Sequence, residues 1–74
     1  MTYAQCTELE ATKDIVSFEG RSMRRFTKGQ IVWVTNSRDE QSRLGIVALA
    51  RKGKNATTAQ YWKIGDVIEN FREI

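Results

Sequence analysis

Three runs of strand-forming residues, each bounded by glycine or polar turn residues, constrain this chain more than any other feature of its sequence. The runs are GQIVWVTN, LGIVALAR and ATTAQYWKI. β-Branched and aromatic side chains pack well on a pleated sheet, and glycine, asparagine and serine favour the turns between strands. The runs predict strands over residues 30–35, 44–51 and 56–64 of a mainly β domain with meandering connections.

The segment CTELEATKDIVSF, near the start of the chain, fits two interpretations. Thr7 followed by Glu10 matches a capping box, which would begin a helix. Leu9 and Ala11, however, alternate with polar residues, and a period of two is typical of a strand. We favour a strand over about residues 7–13.

The tail GDVIENFREI also has two interpretations. Apolar residues from Ile64 to Phe71 fall at helical spacing, which predicts an amphipathic helix of about two turns. Alternatively, residues 66–68 make one tight turn and ENFREI forms a last strand.

The remaining segments are predicted to connect these elements. SFEGRSMRRFTKG is a long loop or a loose hairpin that turns at Glu19 and Gly20, NSRDEQSR is a polar turn, and KGKN is a tight basic turn. We expect residues 1–6 to be a flexible N-terminus and residues 7–74 to form a single domain.

This layout resembles the Src-homology-3 domain and the wider class of small barrels built in the same way. ATKDI takes the place of the first strand motif of that family, FTKGQIVWV is similar to its Lys-Gly-Asp segment and next strand, and IENFREI is similar to its last motif. The resemblance covers about residues 11–74. It implies a small five-stranded barrel with a short helical turn near the C-terminus.

The peptide-binding residues of that family are mostly missing here. Its groove for proline-rich peptides is lined by aromatic residues and a proline. Lys13 and Ile15 stand where the first aromatics would be, QSRLGIVA has no tryptophan, the chain has no proline, and only Phe71 matches. We therefore carry over the barrel but not the proline-peptide activity.

The composition argues against several classes of function. Cys6 is the single cysteine and histidine is absent, which removes an intrachain disulfide, the usual general base and the usual metal ligand. No catalytic signature, cofactor motif or small-molecule site is found, so we expect no enzyme, no cofactor and no metal. There is no membrane-length apolar stretch or signal peptide, so we expect a cytoplasmic protein without membrane contact.

Charge is unevenly distributed along the chain. Residues 21–63 hold ten basic and two acidic residues, a net charge of +8, whereas the remainder holds two basic and seven acidic residues, a net charge of −5. Such segregation bears on partners rather than on fold. It predicts one basic face, unless folding interleaves the two segments.

The candidate binding residues are cations in two predicted loops and two neighbouring aromatics. They are Arg24, Arg25, Lys28, Arg51, Lys52, Lys54, Tyr61 and Trp62. Cations in loops can neutralise phosphates, and aromatic rings can stack on bases. The alternative interpretation is that the cations keep the domain soluble and protect sheet edges.

The aromatic residues differ in what they predict. Tyr61 and Trp62 are adjacent in a predicted strand, so their side chains point to opposite faces and at least one of them leaves the core. Trp33 lies between two valines, and we favour a core position for it over a contact surface.

Together these features predict a non-catalytic binding module. Our first hypothesis is nucleic-acid binding through basic loops and an exposed aromatic residue, Tyr61 or Trp62. The alternative is a protein-interaction module or small inhibitor that docks on an acidic surface of a larger protein, or a subunit that forms a homo-oligomer.

Overall fold

The structure is a computed structural model that describes residues 1–19, 22–53 and 59–74, with the backbone alone for residues 17–19 and 22–24. Two short helices interrupt a succession of strands in this part of the chain. In chain order the elements are β1 (Glu8–Ala11), β2 (Ile15–Glu19), β3 (Ser22–Phe26), β4 (Ile31–Val34), α1 (Arg38–Leu44), β5 (Ile46–Arg51), β6 (Gln60–Lys63), α2 (Ile64–Asn70) and β7 (Phe71–Glu73).

Five of the strands form one antiparallel sheet in the order β6-β5-β4-β1-β7, and β2 pairs with β3 as a separate hairpin. The prediction of a mainly β domain is confirmed. The strand predicted near the start of the chain is β1, and the loose-hairpin interpretation of the following segment is confirmed by the β2–β3 pair. The three runs of strand formers supply β4, β5 and β6, although residues 56–58 of the third predicted strand and the last two residues of the predicted KGKN turn lie outside the described residues.

Alternation along β4 decides which of its residues enter the core. Val32 and Val34 are buried in the core cluster, whereas Ile31 and Trp33 point to the opposite face and are half-buried. Because successive side chains of a strand point to opposite sides, Trp33 cannot share the core with its two neighbours. The core position favoured for Trp33 is therefore wrong, since the valines take it.

The core draws on one face of every strand in the five-stranded sheet and on the open end of the hairpin, where Ile15 pairs with Phe26. Phe26 is its aromatic centre, with its ring centroid 5.7 Å from those of both Trp62 and Phe71. Offset or edge-to-face contacts of this kind stabilise aromatic clusters beyond simple burial. The buried cluster comprises Tyr3, Leu9, Ala11, Ile15, Phe26, Val32, Val34, Val47, Leu49, Trp62, Val67 and Phe71.

Helix α1 replaces a predicted polar turn, and that prediction is wrong. The Ser37 side chain caps the helix by accepting a hydrogen bond from the Glu40 backbone N–H at 3.2 Å. Gly45 ends it with a left-handed φ of 69°, which glycine adopts without the steric penalty of a side chain. Capping at both ends outweighs the weak apolar periodicity of RDEQSRL.

The tail combines parts of its two interpretations. Helix α2 runs for seven residues, close to the two turns that the apolar spacing predicted, and β7 follows it directly. Val67 is fully buried, but Ile68 is 44% exposed, so the apolar stripe of the helix is narrower than its sequence indicated. Strand β7 then returns to pair with β1.

The N-terminal segment, predicted to be flexible, is attached at several residues. The Cys6 backbone N–H donates to the carbonyl of Val34 at 2.7 Å, Gln5 Nε2 donates to the carbonyl of Thr35 at 3.1 Å, and Tyr3 is held most firmly. Tyr3 is 3% exposed and belongs to the core cluster. Its backbone N–H and carbonyl both form hydrogen bonds of 2.8 Å with the side chain of Gln41. Flexibility of the other residues in this segment stays a prediction.

Candidate functional site

Three of the predicted basic residues lie at the same end of the five-stranded sheet. Lys28 lies in the turn that leads into β4, while Arg51 ends β5 and Lys52 follows it. Because β4 and β5 are antiparallel, the start of one lies beside the end of the other, and the backbone N–H of Lys52 donates to the carbonyl of Ile31 at 3.2 Å. We call Lys28, Arg51 and Lys52 the basic end of the sheet.

The two adjacent cations of this basic end do not point the same way. Arg51 is in register with Val32 and lies on the core side of the sheet at its rim, whereas Lys52 follows on the opposite side. Lys52 Nζ lies 3.5 Å from Glu8 Oε1 on β1, and both side chains are partly exposed. The charge of Lys52 is therefore partly neutralised by Glu8 within the molecule.

The other predicted cations are not shown to join this basic end. Arg24 and Arg25 are on β3, where Arg25 is exposed and in register with Val16, which is also exposed. Of Arg24 only the backbone is described, and Lys54 lies outside the described residues. A single phosphate-contacting face therefore stays a prediction for all six cations, of which the structure places Lys28, Arg51 and Lys52 at one end of the sheet.

The two candidate aromatic residues separate as the strand period requires. Tyr61 is 51% exposed, and Trp62 is 5% exposed and packs against Phe26. The prediction that they point to opposite faces is confirmed. Trp62 is a core residue and is therefore no longer a candidate contact residue. Tyr61 is the exposed aromatic residue of the pair.

Strand register places Tyr61 on the same face as Trp33, a relationship that the sequence analysis missed. Tyr61 is opposite Ala48 on β5, and Trp33 is opposite Ala50 on the same strand. Partners in register share a face, as do residues two apart. The outer sheet face, as we call it, comprises the residues of β4, β5 and β6 that point away from the core: Ile31, Trp33, Ile46, Ala48, Ala50, Tyr61 and Lys63.

The strand order also preserves the charge segregation of the sequence. Residues 31–63, which supply β4, β5 and β6, contain six basic and two acidic residues, a net charge of +4. The other two strands of the sheet, β1 and β7, are neighbours, and together with α2 they contain one basic and five acidic residues, a net charge of −4. In the sheet, therefore, the two segments do not interleave.

A shallow cleft of about 240 Å³ lies beside the basic end, lined by Glu10, Ala11, Thr12, Lys28, Gly29 and Arg72. Its two opposite charges on β1 and β7 are already paired, since the Nε of Arg72 donates to Glu10 Oε1 at 2.7 Å. Asp14 Oδ1 accepts a 2.8 Å hydrogen bond from the backbone N–H of Lys28 and fixes the turn beside the cleft. The contact with Asp14 therefore holds the turn that carries Lys28.

In residues 1–19, 22–53 and 59–74, no group of three or more histidine, cysteine, aspartate or glutamate residues could hold a metal ion. Within the same residues, no helix has the length and apolar character needed to cross a membrane.

Comparison with known proteins gives no relative for this chain: no protein-family model, no curated protein and no solved structure matches it. The site must therefore be interpreted from its own residues. What it offers is an exposed aromatic ring on a basic half of a sheet, with further cations at one end.

Proposed function

We propose that this chain is a non-catalytic module that binds nucleic acid, built on a small barrel of the Src-homology-3 type. The barrel is supported by the order of elements, in which a first strand, a hairpin, three meandering strands with α1 between the first two, a short helix and a last strand follow one another. It is supported further by the pairing of the first strand with the last. Curling such a sheet buries one face of all five strands around a common core.

The observation that carries nucleic-acid binding is the exposed ring of Tyr61 within the basic half of the sheet. Lys63 shares its face two residues further along β6, and the basic end lies where β5 finishes. Rings supply surfaces for bases and cations meet phosphates, so a ligand that has both is the natural partner. An exposed aromatic in an acidic region would not support this proposal.

Salt-dependent binding is the direct test. The intact protein is titrated into fluorescein-labelled oligonucleotides, single-stranded and duplex, and anisotropy is followed from low to moderate salt. Each phosphate that the protein neutralises contributes about −0.9 to the slope of log affinity against log salt on duplex DNA and about −0.7 on a single strand. Absence of salt-dependent binding to either form at low ionic strength would overturn the proposal.

A pair of double variants with equal charge changes locates the contact. Arg51→Ala with Lys52→Ala removes two cations at the basic end and should reduce the salt slope by up to about two units. Arg38→Ala with Arg43→Ala removes two exposed cations from α1, at the other end of the sheet, and should change it less. Equal effects of the two double variants would show that net charge, rather than the basic end, determines binding.

An acidic protein surface would bind the same cations as nucleic acid does. The two proposals are distinguished by identifying the bound partner. Capture of partners from a lysate, with and without nuclease treatment, tests the alternative. A single protein that remains bound after nuclease treatment, together with failure of the oligonucleotide titration, would replace nucleic acid by a protein partner.

A further inference from the structure

The outer sheet face has two aromatic residues separated by two alanines, and this arrangement deepens the proposed function. We propose, on the basis of that function, that the ligand is a single-stranded nucleic acid and that it crosses the outer sheet face with unpaired bases on Trp33 and Tyr61. Trp33 is then a second contact residue, which the sequence analysis had placed in the core.

Only small side chains of β5 lie between the two rings. Trp33 is opposite Ala50, and Tyr61 is opposite Ala48, so the middle strand contributes only methyl groups between two large aromatic side chains. Both alanines are buried although they point away from the core. Because the two alanines are already covered, planar groups would lie against the exposed parts of the two rings, with no large side chain of β5 between them.

Trp33 is only partly exposed, with its indole nitrogen on the enclosed side. The residue is half-buried, but its Nε1 atom is fully enclosed and has no hydrogen-bond partner within the described part of the chain. Solvent therefore reaches other atoms of the residue, and the nitrogen edge is turned into the protein. An enclosed donor without a partner destabilises a fold, so packing alone would favour a purely apolar side chain at this position.

The separation of the two rings favours an unpaired strand over a duplex. Trp33 and Tyr61 lie two strands apart and two residues out of line, which places their Cα atoms about 12 Å apart by ordinary strand spacings. Neighbouring bases in a duplex are stacked only about 3.4 Å apart. Bases that occupy the two rings must therefore be splayed away from one another, which is how proteins take up bases of single strands.

Charge complementarity determines which side of the outer sheet face the single-stranded nucleic acid follows. Lys63 lies beside Tyr61, and Lys52, which is partly neutralised by Glu8 at 3.5 Å, continues the row that contains Ala50, so cations flank the two rings along β5 and β6. On the other side, Glu8 of β1 is directly opposite Trp33. A polyanion is attracted to the β5–β6 side and repelled at β1, so β4 marks the edge of its path.

Tryptophan fluorescence and affinity test this assignment together. A short oligothymidylate should quench the fluorescence of the wild-type protein and bind more tightly than the oligothymidylate–oligoadenylate duplex of equal length. Trp33→Phe should retain most of the affinity but lose the quenching, because Trp62 remains enclosed in the core. Trp33→Leu and Tyr61→Leu should each weaken single-strand binding by roughly 5- to 150-fold, the usual effect of removing one stacking ring.

The control substitution is Ile68→Ala, which shortens an exposed apolar side chain on α2, outside the outer sheet face. It should leave affinity unchanged. Tyr61→Leu alters an exposed side chain and should fold, so it tests the stacking face even if Trp33→Leu does not fold. Salt-dependent binding that is equal for single strand and duplex, or unaffected at Tyr61, would overturn the stacking face while the proposed function stands. Absence of all nucleic-acid binding would overturn both.

Discussion

The side-chain amide of Gln41 completes the backbone hydrogen bonding of Tyr3 in the way that a neighbouring strand would. Gln41 Oε1 accepts from the Tyr3 N–H, and Nε2 donates to the Tyr3 carbonyl, each at 2.8 Å. The same Nε2 donates to the carbonyl of Asn36 at 3.1 Å. One fully buried amide thus joins the N-terminal segment, helix α1 and the end of β4.

Gln41→Ala should destabilise the protein by about 2–4 kcal/mol, because it leaves buried donors and acceptors of Tyr3 and Asn36 without partners. Urea unfolding followed by circular dichroism measures the change. Ser42→Ala, an exposed position on the same helix, is the matched control and should remain within about 0.5 kcal/mol of wild type. An unchanged midpoint for Gln41→Ala would mean that the amide is dispensable.

The phenol of Tyr3 makes stability depend on alkaline pH. Burial, and then the nearby negative charge of Glu73, raises the pKa of Tyr3 above its ordinary value of about 10. The folded state therefore holds this proton more tightly than the unfolded state. The resulting stability is fully present below about pH 10 and is lost as the pH rises through the folded-state pKa.

Tyr3→Phe should remove that part of the alkaline destabilisation, and Glu73→Gln should lower the pKa of Tyr3 part of the way toward its ordinary value. Urea midpoints collected from pH 8 to about pH 11 measure the first effect, and the ultraviolet difference titration between wild type and Tyr3→Phe assigns the second. A pKa for Tyr3 that does not respond to Glu73→Gln would leave burial as its sole cause.

The two tryptophans should respond differently to truncation. Trp62→Ala removes a core ring beside Phe26 and should cost about 3–5 kcal/mol, enough to unfold most molecules of so small a domain. Trp33→Ala, on the outer sheet face, should cost about 1–2 kcal/mol and leave a folded protein. Thermal unfolding by circular dichroism compares them, and an equal loss in both variants would place Trp33 in the structural core after all.

The strands could be predicted because their determinants are local. Ile31 to Val34 are strong strand formers beside a glycine turn, and their alternation limits how many can be buried. Helix α1 also had a local signal, since Ser37 and Glu40 match a capping box and Gly45 stands where a helix would end. The charged segment RDEQSRL was interpreted as a turn because its apolar residues show no clear helical periodicity.

The candidate site was less predictable, because it depends on which strands become neighbours. The sequence showed that Tyr61 and Trp62 point to opposite faces, but burial against Phe26 decides which of them enters the core. The shared face of Trp33 and Tyr61 depends on the registers of β4 with β5 and of β5 with β6. Pairings between residues far apart in sequence carry no local signal, so that relationship appears only in three dimensions.

Glu8 should weaken the binding of nucleic acid along the proposed path in two ways. Its carboxylate neutralises Lys52 at 3.5 Å, and its position opposite Trp33 brings negative charge to the edge of the outer sheet face. Glu8→Gln should strengthen binding of a single-stranded oligonucleotide by roughly two- to fivefold, as expected for release of an exposed ion pair worth up to about 1 kcal/mol.

The salt slope should also steepen by up to about 0.7, since Lys52 becomes available to one more phosphate. Glu69→Gln makes the same charge change at an exposed position on α2 and is the matched control, with little effect expected. Fluorescence anisotropy across a salt series measures both quantities. If Glu8→Gln and Glu69→Gln strengthen binding equally, only the overall charge of the protein determines affinity. The nucleic acid then does not pass Lys52 and Trp33.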